Sequence, residues 1–357
     1  MVSVTIDLGA LRSNLETVRR LSPKSRVMAV IKANAYGHSL VAVARALESA
    51  DALAVARLGE ALSLREAGIK TPILLLEGVL DREQLIAAAA ADLELVVHSA
   101  EQVELLKRAP AGVRFKIWLK LDSGMNRLGF KGEAFLAAHA ALSALPCVQV
   151  PFNLCTHLSS ADSPELPTTA EQLMVFGAAT RSLPGSRSLV NSAGLLGFPD
   201  SQADWVRPGL ALYGISPFRG TTGADHGLRP VMTLCSRVIA LKDLAEGEQV
   251  GYGGDWSATR PTRLAIASVG YGDGYPHSAA SGTPILVNGE RAGIVGRVSM
   301  DMLAIDVTET QRPVKVGDPV VLWGDGLPVE EIALWAETIP YTLTCGITQR
   351  VAVNILE

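Results

Sequence analysis

The feature that most constrains this chain is an alternation of short apolar, β-rich runs with longer helical patterns over its first two-thirds. The runs read as strands are Val27–Ile31, Leu53–Ala56, Ile73–Leu76, Glu94–His98, Phe115–Leu121, Val148–Leu154, Ser188–Val190 and a weaker one at Asp204–Val206. Helical spacing fills the gaps at Leu40–Glu48, Gly59–Ala67, Arg82–Ala91, Ala100–Arg108, Gly132–Ala144 and Thr169–Arg181. Parallel strands need crossover connections, and eight of them in roughly 200 residues predict a closed (β/α)8 TIM-type barrel rather than an open sheet.

The texture changes at Pro217–Gly227, which has no clear periodicity. Beyond it come Thr233–Leu241, Arg263–Val269, Pro284–Val287, Arg291–Val295, Met302–Val307 and Pro319–Leu322, with one helical pattern at Val329–Ala336. Glycine, proline and aspartate turns separate them, so this half predicts a mostly antiparallel β domain. The expected division is 1–225 for the barrel and 226–357 for the β domain, with the first few residues free to join the latter. A length of 357 residues suits two domains.

Composition narrows the partners. The net charge is −4 without Lys/Arg clusters, which argues against nucleic acid and anionic membranes. Mean hydropathy is high at +0.26, yet no apolar run approaches the ~20 residues of a membrane span. Four cysteines are scattered without C-x-x-C spacing, and the N-terminus has no basic region followed by an apolar stretch. A soluble cytoplasmic protein with free thiols is the expectation.

In barrels the chemistry gathers at the C-terminal ends of the strands. Lys32 closes the first apolar run. A lysine there can be a solvated edge charge, or a partly desolvated amine able to form a Schiff base with an aldehyde. Asn191-Ser192-Ala193-Gly194 follows a late strand and opens a helical pattern, which suits either a plain N-cap or a phosphate held at a helix start. Trp205-Val206-Arg207-Pro208-Gly209-Leu210 follows, with a glycine that permits close backbone approach. A lysine with a phosphate site at the seventh and eighth strands suggests pyridoxal 5′-phosphate.

With these segments stand Val30-Ile31-Lys32-Ala33-Asn34-Ala35-Tyr36-Gly37-His38, Trp118 to Gly129, Thr156-His157, Gly251-Tyr252-Gly253, Gly270 to Pro276 and Gly296 to Met302. In this order they resemble the alanine racemase family, fold-type III pyridoxal-phosphate enzymes, along essentially the whole chain. The resemblance implies a homodimer that interconverts L- and D-alanine, for peptidoglycan or for alanine breakdown. Racemisation removes the Cα proton from one face and returns one to the other, so two bases should flank the cofactor. Lys32 would join the cofactor and serve one face, and Tyr252 of the partner subunit the other.

The other roles are likewise implied by the resemblance. Arg207 would lie against the pyridine nitrogen, with His157 in its network. Tyr36, Asn191, Ser192 and Tyr341, with the backbone at Gly209 and Leu210, would hold the cofactor and its phosphate. Arg127 would meet the phenolic oxygen and the substrate carboxylate. Lys120 matches a lysine often carbamylated in the family. Met300 would offer its backbone N–H to the substrate, Tyr271 and Tyr341 would gate the pocket, and Asp301 of the partner subunit would line it. No metal is implied.

Two departures stand out. His277 occupies a position where the family pattern has arginine, which lowers the expected charge of the substrate corridor near Asp162 and Arg297. The C-terminal Gln349-Arg350-Val351-Ala352-Val353 also differs from the usual ending. A racemase of serine, lysine or broader specificity is the alternative, decided by the gate. A decarboxylase would need an acid where Arg207 stands, and a non-catalytic carrier would lack the β domain.

Overall fold

In the computed structural model, which describes residues 2–357, eight parallel strands close into a barrel. They run Arg26–Val30, Ala52–Val55, Ile73–Leu75, Leu93–Val97, Ile117–Lys120, Asn153–Cys155, Arg187–Ser188 and Trp205–Val206, the last pairing with the first. Barrel strands are covered on both faces, which is why Ala52–Val55 and Ile73–Leu75 are apolar and buried without alternation. Inside, Trp118 meets Trp205 edge-on at 5.6 Å, and its indole N–H donates to Glu94 Oε2 at 2.8 Å. The expected barrel is therefore present.

Two local differences have clear causes. The ladder expected over Val148–Leu154 survives only as Asn153–Cys155, because Pro151 has no N–H to donate, while Val148 keeps a single bridge to Phe115. A further helix, Leu8–Leu21, precedes the barrel. Asp7 caps it by accepting from the Ala10 N–H at 2.7 Å, and Leu8, Leu11, Leu15 and Val18 form its buried stripe. Its buried Asn14 donates to the Leu212 and Arg229 carbonyls, tying the helix to the segment that leaves the barrel.

The second part of the chain forms one eight-stranded sheet, antiparallel at every pairing but one. Its long strand Met232–Leu244 pairs with both Pro319–Trp323 and Thr262–Ala267, so six of the strands close on themselves. The exception is Ser3–Asp7. This strand leaves the barrel side, lies antiparallel to Met232–Leu244, and pairs in parallel with Ala352–Leu356.

At the far edge, Gln249–Val250 and Trp256–Ser257 form a ribbon over a small apolar cluster of Val250, Leu264, Val295 and Ala304. Its tip is Gly251-Tyr252-Gly253-Gly254. Gly253 sits at φ +77°, a region that side-chain-bearing residues seldom adopt, and the tight tip leaves Tyr252 71% exposed. Among the described residues no helix is long and apolar enough to cross a membrane.

Candidate active site

A cavity of about 380 Å³ opens at the C-terminal mouth of the barrel. Its lining includes Lys32, Tyr36, Lys120, Arg127, His157, Asn191, Ser192, Arg207, Gly209, Leu210 and Tyr341. Four of its side chains are cationic (Lys32, Lys120, Arg127 and Arg207) against one carboxylate, Glu77. Such an excess of positive charge around one cavity calls for an anionic occupant.

Lys32 begins an unusual turn. Ala33, Asn34, Ala35 and Tyr36 all have φ of 53–55°, one left-handed turn without a glycine. Each such residue costs roughly 1–2 kcal/mol, so the turn persists only if its surroundings over-determine it. Asn34 Oδ1 accepts from the Leu40 N–H at 2.8 Å, and His38 Nδ1 donates to the carbonyls of Ala35 and Tyr36 at 3.1 and 2.9 Å. His38 is fully buried, and desolvation lowers its pKa to about 4, so it is neutral with Nδ1 as the donor. The Tyr36 ring is wedged between Tyr213 at 4.8 Å and Tyr341 at 5.7 Å.

Across the cavity, Ser192 Oγ accepts from the Gly209 and Ala211 N–H groups at 2.9 and 3.1 Å. Asn191 caps the short helix Ser192–Gly197, its Oδ1 accepting from the Gly194 N–H. A Cβ on Gly209 would lie 2.3 Å from the Tyr36 hydroxyl oxygen, so only glycine leaves this cradle open. Hydroxyls of Tyr36, Ser192 and Tyr341 thus converge with backbone beside Lys32, a donor set that fits a phosphate. Burial, with Asp162 nearby, raises the Tyr341 pKa to about 12, so its hydroxyl keeps its proton.

Arg207 is buried and held from several sides. It donates to Ser188 Oγ at 2.7 Å and to the Thr156 carbonyl at 2.6 Å, while Ser188 in turn donates to the Trp205 carbonyl. Its Nη2 lies 3.3 Å from His157 Nδ1. Burial, then the cations Arg207, Lys120, Arg127 and Lys32, hold His157 well below the usual histidine pKa. His157 is therefore neutral, and because arginine only donates, its Nδ1 is the acceptor and Nε2 carries the proton.

Lys120 ends its barrel strand beside Cys155. Burial, seconded by Arg207 and Arg127, lowers its pKa to about 8 against the opposing pull of Cys155 and Asp122. Asp122 accepts from the Gly124 and Asn126 N–H groups, both at 3.0 Å, and so shapes the turn that brings Arg127 back to the cavity.

The remaining residues singled out in the sequence lie apart from this cavity. Tyr252 is on its exposed ribbon tip, Tyr271 and Met300 are 41% and 52% exposed, and Asp301 pairs with Arg350 at 2.6 Å. The Tyr271 ring meets His277 edge-on at 5.4 Å. Ser188 and Glu77 contribute to the cavity or its support without having been singled out, while Thr156 and Trp118 stood within the quoted segments without an assigned role. Ser188 carried a usable signal, as a polar residue within an apolar strand.

The chain matches the family model described as alanine racemase, N-terminal domain, over residues 6–217, and that of the C-terminal domain over residues 231–355. It is 49% identical over 344 residues to an alanine racemase of Shewanella sediminis, covering 96% of each chain. Its fold superposes with a TM-score of 0.96 on the biosynthetic alanine racemase of Pseudomonas aeruginosa, at 44% identity and covering 100% of this chain and 99% of that one. For the alanine racemase of Acinetobacter baumannii the TM-score is 0.94, at 38% identity and 99% coverage of both chains.

Proposed function

The chain belongs to the alanine racemase family, whose members interconvert L- and D-alanine, and from that premise we propose how its own residues carry out the reaction. The family depends on pyridoxal phosphate, and the observation that carries the assignment here is the convergence of Lys32, the hydroxyl cradle and buried Arg207 in one cation-rich cavity. Tyr36, Ser192, Tyr341 and the backbone at Gly209 and Leu210 would hold the phosphate, with Asn191 shaping the helix start beneath it. When bound, the cofactor supplies a conjugated ring that takes up negative charge left at Cα.

Lys32 Nζ moves the proton on one face of the substrate, and Tyr252 of the partner subunit moves it on the other. Residues 1–225 act as the cofactor-holding unit, and 226–357 carry the second base to a neighbouring subunit, so the working form is a homodimer in the cytoplasm. Arg207 would donate toward the ring nitrogen without yielding its own proton, a weaker pull on negative charge that would favour prompt reprotonation of the substrate over transamination. Neutral His157 holds Arg207 in that role. Arg127 orients the substrate carboxylate, Met300 adds a backbone N–H, and Asp301 and Tyr271 shape the approach.

Lys120 is set up for carbamylation. Burial, which lowers its pKa to about 8, enlarges the share of neutral amine near neutral pH, and Cys155 and Arg127 stand beside it at the cavity. The neutral nitrogen adds to carbon dioxide and releases a proton to water, leaving an anion that offsets the positive charge around Arg127.

The direct test is chiral chromatography of L-alanine incubated with the purified protein and pyridoxal phosphate. Equal amounts of the two enantiomers are expected, and alanine that stays L would overturn the assignment. A smaller effect is expected at His277, which leans on the gate residue Tyr271. A permanent cation at the access corridor attracts the substrate carboxylate. His277→Arg should therefore lower KM for alanine about two- to five-fold at constant pH, the scale of an exposed charge pair. An unchanged KM in that variant would sink the idea.

A further inference from the structure

The lysine of the cavity is fixed by a carboxylate two elements away. Glu60 lies in the first turn of the helix Leu58–Glu66, which follows the second barrel strand. Its Oε2 accepts from the Ala56 and Arg57 N–H groups at 3.0 and 3.1 Å, at the end of that strand. Its Oε1 reaches back to the first strand's end and accepts from the Ala33 N–H at 2.6 Å. That N–H belongs to the peptide link immediately after Lys32. Among the described residues, Glu60 is the one side chain that hydrogen-bonds this link.

We propose that Glu60 is a positioning residue for Lys32. The Ala33 peptide plane is where the chain turns from the barrel strand into four consecutive left-handed residues. Holding that plane holds ψ of Lys32, and with it the direction in which its side chain leaves the backbone. The other carboxylate oxygen is bound to the neighbouring strand's end, so the lysine is referenced to the barrel frame and not only to its own strained turn. His38 and Asn34 secure the later part of the turn, Ala35 to Leu40, and do not touch the lysine's link. A simple helix cap would need only the Ala56 and Arg57 contacts, and the third bond is what the capping role leaves over.

The inference rests on Lys32 serving one face, and its test separates the two ideas. Glu60→Gln replaces one acceptor oxygen by an N–H₂ that faces backbone donors. Glu60→Asp keeps the charge and the cap but falls a methylene short of Ala33, so it remains informative if the first variant folds poorly. In the holoenzyme, kcat should fall about ten- to hundred-fold, the scale of a misplacement near 1 Å, with KM for alanine little changed. The isotope effect with Cα-deuterated alanine should rise only in the direction of turnover in which Lys32 takes the proton.

Hydrogen exchange of the peptide spanning residues 32–37 should quicken in both variants, with and without cofactor. Unchanged kcat, or an isotope effect that moves equally in both directions, would reduce Glu60 to a helix cap and overturn the proposal. If Lys32→Ala itself still racemised alanine, the reading of Lys32 would fall, while quickened exchange would still register the contact at Ala33.

Discussion

Lys32→Ala should lower racemisation by about 10⁴-fold or more in both directions, because two contributions vanish together. A positioned base is worth about 10²–10⁴-fold, and the amine proposed to join the cofactor is lost as well. The effect should reach both directions because a racemase runs the same path each way, and the face served by Lys32 is crossed in either sense. The fold should survive the change. The left-handed turn is held by Glu60, Asn34 and His38, none of which bonds the lysine's amine. Chiral chromatography gives the rate and thermal unfolding the stability. A variant that folds normally and keeps more than about a hundredth of the activity would remove Lys32 from the chemistry, since that loss is only the lower limit for one base.

Tyr252→Phe should be nearly as damaging, by about 10²–10⁴-fold, although Tyr252 stands on an exposed ribbon outside the cavity that holds Lys32. Sharing between subunits makes the sharper forecast. When the inactive Lys32→Ala and Tyr252→Phe proteins are mixed and allowed to exchange subunits, half the dimers are mixed. Each mixed dimer has one site with both bases intact, so activity should return to about a quarter of the unmodified level. The doubly substituted protein mixed with itself provides the baseline. No recovery, under conditions where subunit exchange is demonstrated by mass, would mean that Tyr252 and Lys32 do not meet across a subunit boundary.

Much of the barrel was legible because its strands are buried on both faces and therefore read as unbroken apolar runs. Ile73–Leu75 and Ala52–Val55 match their expected spans to within a residue. The seven residues expected at Val148–Leu154 were shortened by Pro151, a backbone effect that apolar content conceals. Ser3–Asp7 carried no strand signal beyond its β-branched residues, and its partners lie at the other end of the chain. The turn after Lys32 was invisible for a different reason. Ala-Asn-Ala-Tyr contains no glycine, and nothing local announces four left-handed residues whose strain is offset by contacts from Glu60 and His38. Of the site, the groups at strand ends could be read in order along the chain. Glu60 could not, because its part depends on the spacing between two strand ends that only the closed barrel sets.

The strand Ser3–Asp7 gives the molecule a property that neither of its parts has alone. It is stitched between Met232–Leu244 and Ala352–Leu356, while the helix that continues from it, Leu8–Leu21, packs on the barrel side. The two parts are therefore joined by two covalent crossings, one at residues 7–8 and one beyond residue 217. A single cut in the later crossing leaves the pieces buttoned together by that strand. During synthesis the same arrangement postpones completion of this edge of the sheet until the strand Ala352–Leu356 has emerged, whereas the ribbon bearing Tyr252 rests on Leu264, Val295 and Ala304 and has its support earlier.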